Sequence, residues 1–208
     1  MIAACRDAVP IPVFVMIRPR GGGFVYTAEE RDVMLRDVIA ACELGADGVV
    51  IGGLLPDRTI DVELVRQLVD AAHDRSVTFH RAFDFTSDLP ASLETLIGAG
   101  VKRVLTSGGA STALDGVSVL TDLVRRAGSR ITMIAGGGVR EENVGRIVDE
   151  AGVREVHVRL TRLVNGSAPG SRPDIRLRKP LPDDDLAWEE TDAARVRSFV
   201  SVLRKVGG

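Results

Sequence analysis

Val77-Thr78-Phe79-His80-Arg81-Ala82-Phe83-Asp84-Phe85-Thr86 is the stretch that decides the fold. It begins with β-branched and aromatic residues, which favour a buried strand. It ends in three ionisable residues, His80, Arg81 and Asp84. Because burying an unpaired charge is costly, these side chains need partners or a ligand at the end of the strand. In parallel α/β folds, ligands bind at that carboxyl end.

The same pattern of an apolar strand with a polar end recurs along the chain. Strand-like segments begin near residues 13, 48, 77, 103, 131 and 155, with amphipathic helical stretches between them. Strands that alternate with helices at this spacing predict repeated βα units and a parallel sheet. Crossovers of one hand would curl these units into an α/β fold of the TIM type, a (β/α) barrel.

The strand count makes this predicted barrel incomplete. A closed barrel needs eight strands, and we find six, so two are missing unless residues upstream supply them. The continuous apolar run at residues 12–17 predicts a first strand buried on both faces. We predict one barrel domain over residues 1–208, with an irregular proline-rich loop at 165–188 and a terminal helix at 192–206. Six strands would leave two bare edges, which a homo-oligomer would cover.

Composition argues against several classes of protein. The 208 residues carry a formal net charge of −2, so charge gives no reason to expect nucleic acid or an anionic membrane as a partner. No apolar run approaches the roughly 20 residues that span a bilayer. Residues 1–6 lack the basic and apolar regions of a secretory signal. With only Cys5 and Cys42, no disulfide framework is expected and a cytoplasmic protein is predicted.

Polar residues and glycines follow the predicted strands, and parallel strands would gather them on one ligand-binding face. Glycines before a helix expose backbone N–H groups to an anion, and arginines can clamp one. The same glycines could serve only tight turns, and the same arginines could pair with carboxylates at the rim. The predicted ligand-binding residues are Arg18, Arg20, Arg81, Ser107, Gly108, Gly137, Gly138 and His157.

His80 and Asp84 are the candidate catalytic residues. An Asp within reach of a His and an Arg could act as a base, although spacing alone does not assign that role. The alternatives are a core histidine bonded to backbone and an Arg81–Asp84 ion pair in which each orients the other. No nucleophile or cofactor motif indicates a particular reaction, so the sequence leaves open whether the protein is an enzyme. Both cysteines lie on predicted helices away from the strand ends, so metal ligands stay unassigned.

Four segments, in this order, resemble the CutC family: Val15-Met16-Ile17-Arg18-Pro19-Arg20-Gly21-Gly22, Thr78-Phe79-His80-Arg81-Ala82-Phe83-Asp84, Val104-Leu105-Thr106-Ser107-Gly108 and Ala135-Gly136-Gly137-Gly138-Val139. The resemblance covers roughly residues 2–157 and continues weakly in the terminal helix. It implies a (β/α)₈ barrel, a cytoplasmic protein of copper homeostasis and, in some members, copper binding. It implies no settled enzymatic activity.

The chain departs from that family pattern in three places. The family normally opens with two further strands, each bearing a Glu and a Cys, and both are absent from this sequence. Because Cu(I) prefers thiolate ligands, the loss of those cysteines argues against copper binding. Gly23 stands where the family usually has an acidic residue. Val158-Arg159-Leu160 replaces the small residues usual after the family's histidine.

Three functional hypotheses follow. The first is a CutC-like barrel that binds copper or supports copper tolerance, with copper as the one cofactor that the resemblance implies. The second is a barrel enzyme acting on a small phosphorylated or carboxylated metabolite, bound by Arg18, Arg20 and the glycine loops. The third is a non-catalytic remnant, or a chain whose natural start lies upstream.

Overall fold

A computed structural model describes residues 1–165 and 187–206 of the chain. The residues form two compact units that divide after His157. The elements of the first unit, in chain order, are α1 (Ile2–Ala8), β1 (Phe14–Met16), α2 (Ala28–Glu43), β2 (Gly48–Ile51), α3 (Val62–Ala71), β3 (Ser76–Phe79), a 3₁₀ helix (Arg81–Phe85), α4 (Leu89–Gly98), β4 (Arg103–Thr106), α5 (Val117–Ala127), β5 (Thr132–Gly136), α6 (Val144–Ala151) and β6 (Glu155–His157).

The six strands of this unit form one sheet in the order β1-β2-β3-β4-β5-β6. Every neighbouring pair is parallel. This confirms the predicted α/β fold and its six parallel strands, which form a half-barrel. Strands β1 and β6 are the edges of this sheet, as the strand count predicted.

Three helices of this unit, α2, α3 and α4, begin at side-chain caps. Thr27 accepts a hydrogen bond from the backbone N–H of Glu30, and the Glu30 carboxylate accepts one from the Thr27 N–H. This is a capping box. Asp61 and Asp88 cap α3 and α4 in the simpler way, by accepting from the N–H three residues on. Such caps each stabilise a helix by about 1 kcal/mol.

The two faces of the sheet differ in packing. Side chains of one set of alternating strand residues, including Val49, Phe79 and Val104, are fully buried. We call the other face, which carries Phe14 and Met16, the inner face. Because β1 is an edge strand, Met16 is 53% exposed, so the prediction of a first strand buried on both faces is wrong. A continuous apolar run does not distinguish a covered strand from an edge strand.

The second unit contains an antiparallel pair, β7 (Thr161–Asn165) and β8 (Ala187–Thr191), followed by α7 (Ala193–Val206). Residues 166–186 of the predicted irregular loop lie outside the described residues. Its ends, Asn165 and Ala187–Trp188, belong to the two strands. Within residues 1–165 and 187–206, no helix combines the length and apolarity needed to cross a membrane.

Gly48 allows Phe14 to cross the start of the sheet. A Cβ at Gly48 would lie 2.3 Å from the Phe14 ring and 2.4 Å from the Ser76 carbonyl oxygen. We therefore expect Gly48→Ala to lower the free energy of unfolding by about 2 kcal/mol, because the backbone oxygen cannot move aside cheaply. Denaturant unfolding of the purified variant measures this change.

Gly98→Ala is the matched control, because nothing lies within 4 Å of a Cβ placed at Gly98. Alanine is the better helix former, so this variant should gain about 0.5–1 kcal/mol. Equal effects of the two substitutions would contradict the close approach at Gly48.

Candidate functional site

The Asp84 carboxylate holds together the loops that follow β3 and β4. It accepts from Arg81 Nε at 2.7 Å, from the Ser107 N–H at 3.0 Å and from the Gly109 N–H at 3.1 Å. The Thr106 hydroxyl also donates to it, and the Ser107 hydroxyl lies 3.0 Å from Oδ2. We call these five residues the Asp84 network. Its carboxylate is 4% exposed and fully used as an acceptor, which favours a structural role over that of a base.

Arg81 is fixed by this network yet keeps one end free. Its Nε donates to Asp84, and its Nη2 donates to the Ser107 hydroxyl at 2.7 Å and to the Ala110 carbonyl at 3.3 Å. Its Nη1 has no acceptor among the described residues and faces Gly137, where a Cβ would lie 2.9 Å away. The side chain is 37% exposed. Arg81 therefore presents an oriented, accessible pair of N–H donors.

The loop opposite Arg81 carries two glycines with left-handed backbone. Gly137 has φ +104° and Gly138 has φ +66°. Within the described part of the chain, their N–H groups have no acceptor, while their carbonyl oxygens accept from Ala113 N–H and Asn143 Nδ2. Free N–H groups beside a guanidinium suit an anion.

His80 is a buried, neutral histidine. Its Nδ1 accepts from the Ala82 N–H at 3.1 Å, whereas its Nε2 has no partner among the residues that the structure describes. Its ring lies 5.1 Å from the Phe24 ring, and a Cβ at Gly52 would lie 2.0 Å from the imidazole. Burial lowers the pKa of His80 to about 4. With Nδ1 as acceptor, Nε2 carries the proton and is an unpaired donor.

The two arginines after β1 have different surroundings. Arg20 uses all five of its N–H donors on Glu30, Gly21, Gly23 and Val25. This arrangement favours the alternative of pairing at the rim. Arg18 is exposed, donates to the Gly22 carbonyl at 2.7 Å and lies over the Phe24 ring at 4.9 Å.

The remaining predicted site residues have local constraints. Gly108 has φ +72°, and a Cβ there would lie 2.5 Å from the Gly116 carbonyl oxygen. Ser107 is fully buried in the Asp84 network. His157 ends β6 at the same edge of the sheet, and its side chain lines a cavity on the inner face. The geometry thus brings Arg81, Ser107 and Gly137 into contact.

Sequence reasoning missed the aromatic and glycine neighbours of His80. Phe24 follows a glycine run and packs on the imidazole ring, and Gly52 leaves room for that ring. The signal for Gly52 was available, because it directly follows a strand at the edge where the other polar residues lie. Phe24 carries no such signal, since its contact depends on the path of the loop.

The donor set of the described residues does not fit copper. Cu(I) favours thiolate and imidazole ligands, and no group of three or more His, Cys, Asp or Glu side chains placed to hold a metal occurs in residues 1–165 and 187–206. Cys5 is exposed, and Cys42 points its thiol at the Ala72 carbonyl oxygen. Burial raises the pKa of the Cys42 thiol, which disfavours the thiolate.

Comparison with known proteins gives consistent results. A model of the CutC family matches residues 1–161. A protein named family protein CutC from Xanthomonas campestris pv. campestris is 42% identical over 203 residues, which are 98% of this chain and 82% of the relative. The copper homeostasis protein cutC homolog of Mus musculus is 38% identical over 206 residues, 99% of this chain and 76% of the relative.

A solved structure agrees with these relatives. The crystal structure of CutC from Streptococcus agalactiae superposes with a TM-score of 0.72 at 36% sequence identity, covering 75% of this chain and 78% of that chain. The resemblance first drawn from four short segments therefore extends over nearly the whole sequence. The chain belongs to the CutC family.

Proposed function

We propose that this CutC-family protein binds a small anionic metabolite, phosphorylated or carboxylated, at the carboxyl-end edge of its sheet. The observation that carries the proposal is the free Nη1 of Arg81, held opposite Gly137 by the Asp84 network. An arginine whose other nitrogens are already anchored loses little side-chain entropy on binding. Such a group is preorganised for a carboxylate or phosphate oxygen.

The charges at this edge support an anion. Arg81 and Asp84 form an ion pair, and the nearby Arg20 and Glu30 form another. Arg18 has no carboxylate partner within the described part of the chain, because its guanidinium contacts a carbonyl oxygen and an aromatic ring. Arg18 therefore contributes a positive charge that no carboxylate balances, which favours anions over cations.

Hydrogen-bond donors at the edge add selectivity. The N–H groups of Gly137 and Gly138 can bind anionic oxygens. Because the Asp84 carboxylate is occupied by its donors, we assign this site a binding role and no chemical step. His80 stays the candidate acid should a reaction be found.

A direct role in copper handling is the second candidate, favoured by the name of the mouse relative. A role in copper homeostasis does not require that the metal bind this chain. We infer that the protein serves such a role through the metabolite at its strand-end edge, in the cytoplasm. Self-association that covers β1 and β6 is a further part of this proposal, because bare parallel edges invite pairing.

Arg81→Lys tests the anion site. Lysine keeps the charge but cannot contact Asp84 and Ser107 while presenting a second nitrogen to a ligand. We expect the dissociation constants of inorganic phosphate and of acetate to rise about tenfold, or ~1.4 kcal/mol. Isothermal titration calorimetry measures both ligands, and the tighter one identifies the head group.

Arg130→Lys is the control, because Arg130 is an exposed arginine paired with Glu94 elsewhere on the surface. It should leave both dissociation constants unchanged. Unaltered binding in Arg81→Lys, or absence of binding by the unsubstituted protein, would count against the proposed site.

Copper affinity tests the second candidate. We expect the chain to lose Cu(I) to a bicinchoninate competitor, because within residues 1–165 and 187–206 its two thiols do not form a site with other ligands. The double variant Cys5→Ser, Cys42→Ser should give the same titration. Tight binding that disappears in the double variant would establish a thiolate copper site instead.

The His80 environment predicts a pH dependence of stability. The pKa is about 4 in the folded protein against 6.5 ordinarily, so the unfolded chain binds more protons between these values. Stability should therefore fall as pH decreases from about 6.5 towards 4, by up to roughly 3 kcal/mol. Denaturant unfolding at a series of pH values measures this loss.

His80→Asn keeps an acceptor for the Ala82 N–H. It should remove the part of the pH dependence of stability that comes from His80. His73→Asn is the control, because His73 is exposed and asparagine tolerates its left-handed backbone. A slope that is the same in wild type and His80→Asn would show that His80 titrates normally.

A further inference from the structure

Phe85 is exposed although the segment that carries it is packed and hydrogen-bonded. The residue is 58% exposed, whereas Phe83 and Thr86 beside it are buried. The Thr86 N–H donates to the Phe83 carbonyl at 3.1 Å. The Ser87 N–H donates to the Arg58 carbonyl, in the loop after β2, also at 3.1 Å. An exposed ring on a fixed backbone loses little conformational entropy when a ligand covers it.

The Phe85 ring packs at the strand-end edge of the sheet. Its centroid lies 5.4 Å from that of the Phe24 ring. Phe24 in turn contacts two residues that follow strands, with the His80 ring at 5.1 Å and the Arg18 guanidinium at 4.9 Å. The Phe24 carbonyl also accepts from the Leu54 N–H at 2.9 Å. The loops after β1, β2 and β3 therefore support the exposed ring together.

Phe85 and Arg81 are the two ends of one short helix. The 3₁₀ helix Arg81–Phe85 rises about 2 Å per residue, so the Cα atoms of its end residues lie roughly 8 Å apart. That separation is comparable to the length of a small aromatic acid. An anionic group on Nη1 of Arg81 therefore leaves an attached ring within reach of Phe85.

The charges around the exposed ring are compatible with an anionic ligand. Arg18, beside Phe24, has no carboxylate partner in the part of the chain that the structure describes. The carboxylates of Asp57 and Asp88, in the neighbouring loops, each accept from backbone N–H groups. An aromatic ring on the ligand suits Phe85 better than an aliphatic ring, because aromatic pairs attract one another beyond the burial of area.

We propose that the ligand of the anion site carries an aromatic ring, which stacks on Phe85 while its carboxylate or phosphate binds Arg81. This inference rests on the proposed function, because it needs the anion site. It narrows the ligand to the aromatic acids and aryl phosphates. Phe85 is then the residue that selects among anions with the same head group.

The probes are benzoate and phenyl phosphate, compared with acetate and inorganic phosphate by isothermal titration calorimetry of the whole chain. We expect each aromatic probe to bind about tenfold more tightly than the small anion with the same head group, because the ring adds apolar burial and an aromatic contact. Cyclohexanecarboxylate separates these two effects. It has a similar size but no π system, and it should bind about threefold more weakly than benzoate.

Phe85→Leu keeps an apolar side chain but removes the aromatic ring. It should weaken the binding of both aromatic probes about fivefold, and it should change the affinities for acetate and inorganic phosphate less. Phe85→Tyr keeps the ring and should retain the binding of benzoate. Leu44→Ala is the control, because Leu44 is 47% exposed at the end of α2, before β2 and thus at the opposite edge of the sheet. It should leave every affinity unchanged.

The possible results distinguish this inference from the proposed function. If acetate or inorganic phosphate binds but neither aromatic probe binds more tightly, the anion site stands and the aromatic ligand is wrong. If none of the four probes binds, both proposals fail. Unchanged benzoate binding in Phe85→Leu would also overturn the stacking on Phe85. So would a dimer, seen by sedimentation, that Phe85→Asp dissociates, since a second copy of the chain would then cover the ring.

Discussion

The Asp84 carboxylate is the interaction on which the strand-end edge depends. The sheet ladder fixes where β3 and β4 end, but it does not fix the loops beyond them. Asp84 does so by accepting from both loops at once, through Arg81 on one side and through Ser107 and Gly109 on the other. A carboxylate this buried is stable only with such donors. The position of Arg81, and therefore any anion site, follows from this requirement.

The two faces of the half-barrel satisfy their polar groups to different degrees. The strand residues of the covered face are apolar except Thr106, whose buried hydroxyl donates to Asp84. The inner face instead contains a cation, Arg103, in contact with Phe14 on β1 and Glu155 on β6. One side chain from β4 thus links both edge strands across the cavity. Its Nη2 is satisfied by that ion pair, and its Nε is not.

Much of this could be predicted from sequence, because periodic patterns report local structure. The six strands, their parallel order and the capping box at Thr27 and Glu30 follow from residue spacing. The division of roles between arginines could not be predicted. Arg20 and Arg81 both follow strands, yet loop geometry gives all donors of Arg20 to nearby oxygens and leaves Nη1 of Arg81 free. The burial of residues 12–17 was mispredicted for a related reason, since coverage of a strand depends on its neighbours.

The chemistry of the strand-end edge bears on the copper name of the family. A cation approaching this edge meets the unpaired charge of Arg18 and the outward nitrogen of Arg81, while the buried Asp84 carboxylate is shielded by its donors. Like charges repel most strongly where water is partly excluded. Soft ligands would have to overcome this repulsion, and the described thiols are separated from the edge, on α1 and α2. Anions meet the opposite situation, because the same arginines and the glycine N–H groups attract them. These contacts support the proposal that the edge binds an anion.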